Sequence, residues 1–275
     1  MKLGKIGVWD NSTWAPLSDA DALAELERLG YGTVWLGASP NADLSAAESI
    51  LAASTTMQVA TGIVNVWEAE PSVAAAANAR VVAAYPGRFL LGIGIGHRPL
   101  VGDRYTKPYD KLVSYLDGLD EGGVPVDQRV IAALGPKMLG LARDRTAGSH
   151  PYLTTPEHTA QARDILGEDK LLVPEQKVVL ETDGAKARAI AREKIGFYFG
   201  LPNYTNNWLR LGFTEADLAD KGSDRLIDAL VVWGDEDAVR ERVQQHLDAG
   251  ADQVAVQVLD TDKMATLRAL APVLF

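Results

Sequence analysis

The chain has 275 residues, of which 47% are apolar and 23% charged, with a formal net charge of −10 and no cysteine. That length suits one α/β barrel, and the apolar share supplies a sizeable core. The absence of cysteine excludes disulfides, thiolate nucleophiles and thiolate metal sites, and the acidic balance without a basic cluster argues against a nucleic-acid partner. The opening Met1-Lys2-Leu3-Gly4-Lys5 shows no apolar leader, and no apolar run approaches a membrane span. A cytoplasmic protein with no membrane partner is therefore expected.

In chain order, Lys5–Trp9 reads as the first strand. Ser18 is expected to cap a helix, with Asp21 three residues on, a stripe of Ala22, Leu26 and Leu29, and Gly30 as its stop. A strand follows over Thr33–Leu36, a helix over residues 43–55, a strand from Gln58 to Val66, and a helix from Pro71 to Ala84. Arg88 to Ile95 is the next strand. Helix 108–119, strand Val130–Ala133 and a helix from Pro136 come after it. Pro151–Leu153 reads as a short strand, and Thr155-Pro156 as a cap followed by the first helical position. Leu171 to Leu180 is a strand interrupted by Pro174. Asp235 caps the last clear helix, with Val239, Val243 and Leu247 on its apolar face, and Gln253 to Val258 is the closing strand. Leu26-x-x-Leu29-Gly30-x-x-Thr33-Val34 and Leu247-x-x-Gly250-x-x-Gln253-Val254 repeat one helix–glycine–strand corner. About eight strands alternating with helices predict a single (β/α)₈ TIM-type barrel domain over 1–275. Residues 195–230 break the rhythm and are expected to form a helical insertion after strand seven.

In such a barrel the active site lies at the C-terminal ends of the strands. The loops there hold His97, Lys137 and His150, together with Trp9, Trp14 and Trp67, and a tryptophan-lined mouth suits a flat aromatic ligand. Gly92-Ile93-Gly94-Ile95-Gly96 is not the dinucleotide fingerprint, since its last glycine would fall on His97. These glycines leave room either for a planar ligand or for packing inside a narrow barrel. Gly135-Pro136-Lys137-Met138 opens a helix directly after a strand. Free amides there, with Lys137, suit a phosphate, although the same residues also make an ordinary turn. Ala147–His150 supplies a second wall. His158 and His246 read as surface or flank positions, four scattered histidines make no metal site, and Lys177 reads as an edge or loop residue.

Met57–Val66 followed by Arg88–Gly94, and above all Tyr85-Pro-Gly-Arg-Phe-Leu-Leu-Gly-Ile-Gly94, resembles the third and fourth strands of luciferase-like monooxygenases. The resemblance is strongest to the actinobacterial branch that uses coenzyme F420, and Trp233–Asp235 to Gly250–Asp252 fits the family's closing helix and strand. It implies a cofactor ring in the barrel mouth. Gly62 and Ile63 fall at a bulge, often with a non-prolyl cis peptide, and Asn65 where a polar side chain approaches the ring. Gly135, Pro136, Lys137, Met138, Ser149 and His150 fall where the phosphate tail is held. Two positions depart from the family: Ala38-Ser39 stands where many members carry a histidine, and His97 where they carry a glutamate.

The preferred reading is hydride transfer between F420 and a small organic substrate, with His97 as the acid–base group, since imidazole titrates near neutrality. Lys137, Arg98 and His150 are expected to meet the acidic tail. The alternatives are an FMN-dependent monooxygenase or reductase, a non-catalytic deazaflavin-binding protein, and a sugar-phosphate isomerase or aldolase. A homodimer is expected from the small-residue faces of helices 71–84 and 43–55.

Overall fold

The computed structural model describes residues 1–275. Its strands are β1 (Ile6–Asn11), β2 (Thr33–Gly37), β3 (Gln58–Thr61), β4 (Val64–Asn65), β5 (Phe89–Gly94) and β6 (Arg129–Ile131), then β7 (Gly148–Ser149), β8 (Leu171–Leu172), β9 (Glu175–Val179), β10 (Val231–Trp233) and β11 (Val254–Val258). They pair in the order β10-β9-β11-β1-β2-β3-β5-β6-β7-β8, with β4 beside β5. The pairings are parallel, and helices alternate with the strands. The result is an α/β fold whose parallel sheet is curled as in a half-barrel. Strands such as β2 and β5 are buried along their whole length, which is why they read as continuous apolar runs. β8 and β9 are parts of one run bent at Val173-Pro174. Leu172 and Pro174 carbonyls accept from Asp252 and Ala255 amides, so this run meets β7 on one side and β11 on the other.

Local sequence explains most helix boundaries. Asp19, Thr155, Asp183, Asp235 and Asp262 cap their helices through side-chain oxygens, each cap contributing about 1 kcal/mol. Ser18 does not cap: it ends a short 3-10 turn, Ala15–Ser18, and its hydroxyl donates to the Ala15 carbonyl. Pro151–Leu153 is loop, the strand there being Gly148–Ser149. The expected strand 58–66 is divided into β3 and β4 around a cis peptide at Gly62-Ile63, where the irregularity was anticipated. β10 was not anticipated. It lies in the segment between β9 and β11, which also holds helices Gly184–Ile195, Pro202–Arg210, Asp224–Leu230 and Glu236–Asp248.

The glycines of β5 serve packing. A Cβ on Gly92 would lie 1.8 Å from the Thr61 carbonyl oxygen, and one on Gly94 would lie 2.8 Å from the Ile63 side chain. Thr61 Oγ1 donates to the Gly92 carbonyl and accepts from its amide, fixing the contact. The alanine face of helix Pro71–Ala84 is likewise spent inside the chain, with Ala74, Ala75, Ala77 and Val81 buried. No helix is long and apolar enough to cross a membrane.

Two glycine substitutions are expected to act with opposite sign. Gly92→Ala should lower unfolding free energy by at least about 1–3 kcal/mol, because the clash is with backbone. Gly140→Ala, in the interior of helix Pro136–Arg145 with nothing within 4 Å of the added carbon, should raise it by about 0.5–1 kcal/mol. Denaturant titration of both variants checks the pair.

Candidate active site

The C-terminal ends of the strands open into a cavity of about 1110 Å³. That is at the upper end of small-molecule sites, enough for a planar cofactor together with a substrate. Seven of the residues expected at the site line it: Gly62, Ile63, Asn65, His97, Gly135, Met138 and His150. Ala38 and Ser39, the departures after β2, also line it, both with positive φ.

The remaining expected residues do not. Lys137 and Pro136 are exposed, and the Lys137 ammonium lies 3.7 Å from the Tyr109 ring centroid, away from the cavity. Ser149 is buried with its hydroxyl donating to the Ile131 carbonyl. Arg98 is exposed and off the cavity wall. Of the three tryptophans expected at the mouth, only Trp9 contributes; Trp67 donates its indole N–H to the Ile95 carbonyl.

His150 is at the cavity floor but is not a cation. Its ring stacks on Trp35 at 4.1 Å, and Nδ1 lies 2.7 Å from the Val173 carbonyl. A carbonyl can only accept, so Nδ1 carries the hydrogen. Burial holds the pKa down to about 4, leaving a neutral ring near pH 7. A Cβ on Gly62 would lie 2.9 Å from Trp9 Nε1 and 3.0 Å from His150 Nε2, so this glycine lets the bulge lie directly on both rings. Asn65 is held the same way: Gly96, at φ +54°, has no Cβ to strike the amide nitrogen, which would be 2.6 Å away.

His97 follows β5 and lines the same cavity. It is surrounded by Tyr204, Tyr198 and Phe197 at centroid distances of 5.6, 6.2 and 6.3 Å. Burial lowers its pKa, and Nδ1 has no partner. At the start of helix Pro136–Arg145, the Arg210 guanidinium stands 3.6 Å from where a Gly135 Cβ would be, and both Arg210 and Lys194 line the cavity. These two residues from 184–210 are the cations on this part of the cavity wall, which Lys137 does not reach.

The largest surprise is Lys177. It is neither edge nor loop. It lies in β9, is 2% exposed, and lines the cavity. Its ammonium donates to Glu175 at 2.9 Å and to Gln257 at 2.8 Å, and sits 3.7 Å from the Tyr152 ring centroid. Burial brings its pKa down to about 8 against the pull of Glu175. His158 and His246 are also buried: His158 Nε2 bonds the Leu134 carbonyl behind the cavity wall, and His246 bridges Thr159 and Gln176.

The luciferase-like monooxygenase family model matches residues 3–121, which include Met57–Val66 and Tyr85–Gly94 but not Trp233–Asp252. A Mycobacterium tuberculosis protein, provisionally named a coenzyme F420-dependent oxidoreductase, is 22% identical over 98% of this chain and 99% of its own. An F420-dependent secondary alcohol dehydrogenase, solved with an F420–acetone adduct, superposes over all of both chains with a TM-score of 0.77 at 14% identity. The FMN-bound oxygenating constituent of 3,6-diketocamphane monooxygenase from Pseudomonas putida covers 99% of both with a TM-score of 0.68 at 14% identity. The luciferase-like resemblance is therefore shown, and with it an enzyme of the oxidoreductase or monooxygenase kind.

The buried histidines set an acid limit on the fold. Burial lowers His150 and His158 from 6.5 to about 4 and His246 to about 3. Unfolding restores their ordinary basicity, so the unfolded chain binds more protons below about pH 6.5. Their contribution to stability is full above about pH 6.5 and is lost as pH falls toward about 4. Unfolding free energy should decline over that window, with up to three protons taken up. His246→Gln should remove about one of them, as read from denaturant midpoints at several pH values.

Proposed function

We propose that this chain is a cytoplasmic oxidoreductase that transfers a hydride between coenzyme F420 and a small organic substrate. The observation that carries the reading is the convergence of separately coded loop residues on one cavity with a cationic end. Gly62, Ile63 and Asn65 would hold the ring; Gly135, Met138, Arg210 and Lys194 would hold the anionic tail, where helix-start amides add to the cations. The cavity volume and this donor set fit such a group. The bound deazaflavin would supply the hydride chemistry. The chain's own part is to orient both partners, exclude water, and accept a proton on His97, which desolvation keeps in its neutral, basic form.

The same reading takes the sheet as an eight-stranded barrel closed through the bent run 171–179, with the segment after β9 as a helical insertion over the mouth, in one domain. It also carries a homodimer. With Ala74, Ala75, Ala77 and Val81 of helix Pro71–Ala84 used internally, Val73, Ala76, Ala79, Ala83 and Ala84 are the small apolar residues left facing outward. A monomer in sedimentation at micromolar concentration would remove that part. The second reading is an FMN-dependent enzyme, favoured by the FMN-bound structural relative.

Parallel fluorescence titrations with F420 and FMN test the choice. F420 is expected to bind the more tightly, and Arg210→Ala to weaken it about tenfold, roughly 1.4 kcal/mol. Tight FMN binding with no F420 binding would transfer the protein to the second reading. Once a substrate is in hand, His97→Gln should cut turnover by about 10²–10⁴-fold with F420 affinity unchanged; lost affinity with intact turnover would make His97 a binding residue.

A further inference from the structure

A chain of hydrogen bonds starts at Lys177 and ends at a phenol on the cavity wall. Lys177 donates to Gln257 Oε1, Tyr152 donates to that same oxygen at 3.0 Å, and Tyr198 donates to the Tyr152 hydroxyl at 3.2 Å. All four residues line the cavity. Register explains the first link: Lys177 and Gln257 are direct partners across β9 and β11. Tyr152 follows β7, and Tyr198 lies in the 3-10 turn Gly196–Gly200.

The direction of this chain is fixed at one end. An ammonium can only donate, so Gln257 must turn its amide oxygen toward Lys177. That oxygen then takes the Tyr152 hydrogen as well. Tyr152 is left with lone pairs facing Tyr198. The Tyr198 bond is long for an O–H···O contact, whose usual length is about 2.7–2.8 Å, so the Tyr198 hydrogen can turn to a ligand at little cost. The corner thus offers one donor and one acceptor side by side. A carbonyl oxygen uses the donor; an alcohol uses both. Tyr204, edge-on to Tyr198 at 5.0 Å, together with Phe197 and Leu100, surrounds the corner with apolar surface.

We propose that Tyr198 and Tyr152 form the subsite that binds the oxygen of a ketone or alcohol substrate with an apolar, planar body, and that Lys177 is its positioning residue, acting through Gln257. This inference rests on the cavity being the active site of the oxidoreductase proposed above.

The test uses the full chain with acetophenone and 1-phenylethanol as probes, binding being followed by saturation-transfer NMR and tryptophan quenching. Tyr198→Phe should weaken both probes about tenfold, and Tyr85→Phe, remote from the cavity, should change neither. Lys177→Met leaves Glu175 unpaired and can fail to fold, so Glu175→Gln/Lys177→Met is made beside it. That variant frees Gln257 to turn, reversing the hydrogen direction, and should weaken 1-phenylethanol about tenfold. The groups facing Lys177 are Glu175 on its own strand, Gln257 on β11, His150, Tyr152 and Tyr198, and Trp9 on β1. Wild-type affinity should fall as pH rises through about 8, where the ammonium is lost, and the double variant should show no such dependence. Probe affinities within twofold of wild type in Tyr198→Phe, or an unchanged pH profile in the double variant, would overturn the proposal, as would no probe binding by wild type. F420 and FMN titrations of the same proteins separate the two ideas. Cofactor binding with Tyr198-independent probe binding sinks only this subsite. Tyr198-dependent probe binding without either cofactor sinks only the cofactor assignment.

Discussion

Two opposite charges, Glu175 and Lys177, lie two residues apart on one face of β9, both out of water, and the cavity wall is arranged around them. Burying either charge alone costs several kcal/mol, and the pair is tolerable only when its remaining donors and acceptors are filled. They are filled by two other parts of the chain. The Leu153 amide donates to Glu175, Gln257 accepts from Lys177, and the Tyr152 ring covers the ammonium. The pair thereby ties the loop after β7 to β9 and β11. Burial raises the Glu175 pKa and lowers that of Lys177, while each charge pulls the other back toward its ionised form.

Close backbone approach shapes the other side of the mouth. β3 and β4 can divide at Gly62 because Gly92 and Gly94 let them lie against β5, and because Gly62 itself rests on Trp9 and His150. A methyl group at Gly92 or Gly62 would push that wall away from the floor. Rigid packing beneath and charge-locked hydrogen bonds beside the cavity are the kind of support that holds a site's geometry to within a fraction of an ångström.

Alternation of strand and helix, with caps and glycine stops, made the α/β architecture legible, because each unit writes its own local pattern. The barrel rule then led to the loops holding Asn65, His97, Gly135 and His150, and the family resemblance to Gly62, and these residues do share one cavity. What failed depended on register and packing between distant segments. Glu175-Gln176-Lys177 reads as a polar edge, and its pairing with β10 on one side and β11 on the other buries it. His158 and His246 sit on helices with ordinary polar faces. They are buried because His158 meets the Leu134 carbonyl, and His246 meets Thr159 and Gln176, across 24, 87 and 70 residues of sequence. Lys137 failed for a smaller reason: at the start of a helix a side chain can lie along the outside, here on Tyr109, as easily as over the helix end. Arg210 and Lys194 were missed because the segment that carries them has no repeating pattern to place it.

Charge is distributed so that the acidic whole does not repel an anionic ligand. At a net charge of −10 the far field is negative, yet screening confines it to about 8–10 Å at physiological salt. Inside the cavity the local groups decide. At the Gly135 end stand Arg210, Lys194 and the amides of a helix start; at the floor stands a neutral histidine; at the Tyr152 corner an ion pair of no net charge backs two phenols. A ligand with an anionic tail, an uncharged planar middle and a neighbouring carbonyl would meet matching chemistry at each place. Its reverse orientation would leave Arg210 and Lys194 without an anionic partner. The Gly135 end, with Arg210 and Lys194, and the Tyr152 corner, where Lys177 is paired with Glu175, thus differ in charge, and that difference favours one orientation for such a ligand.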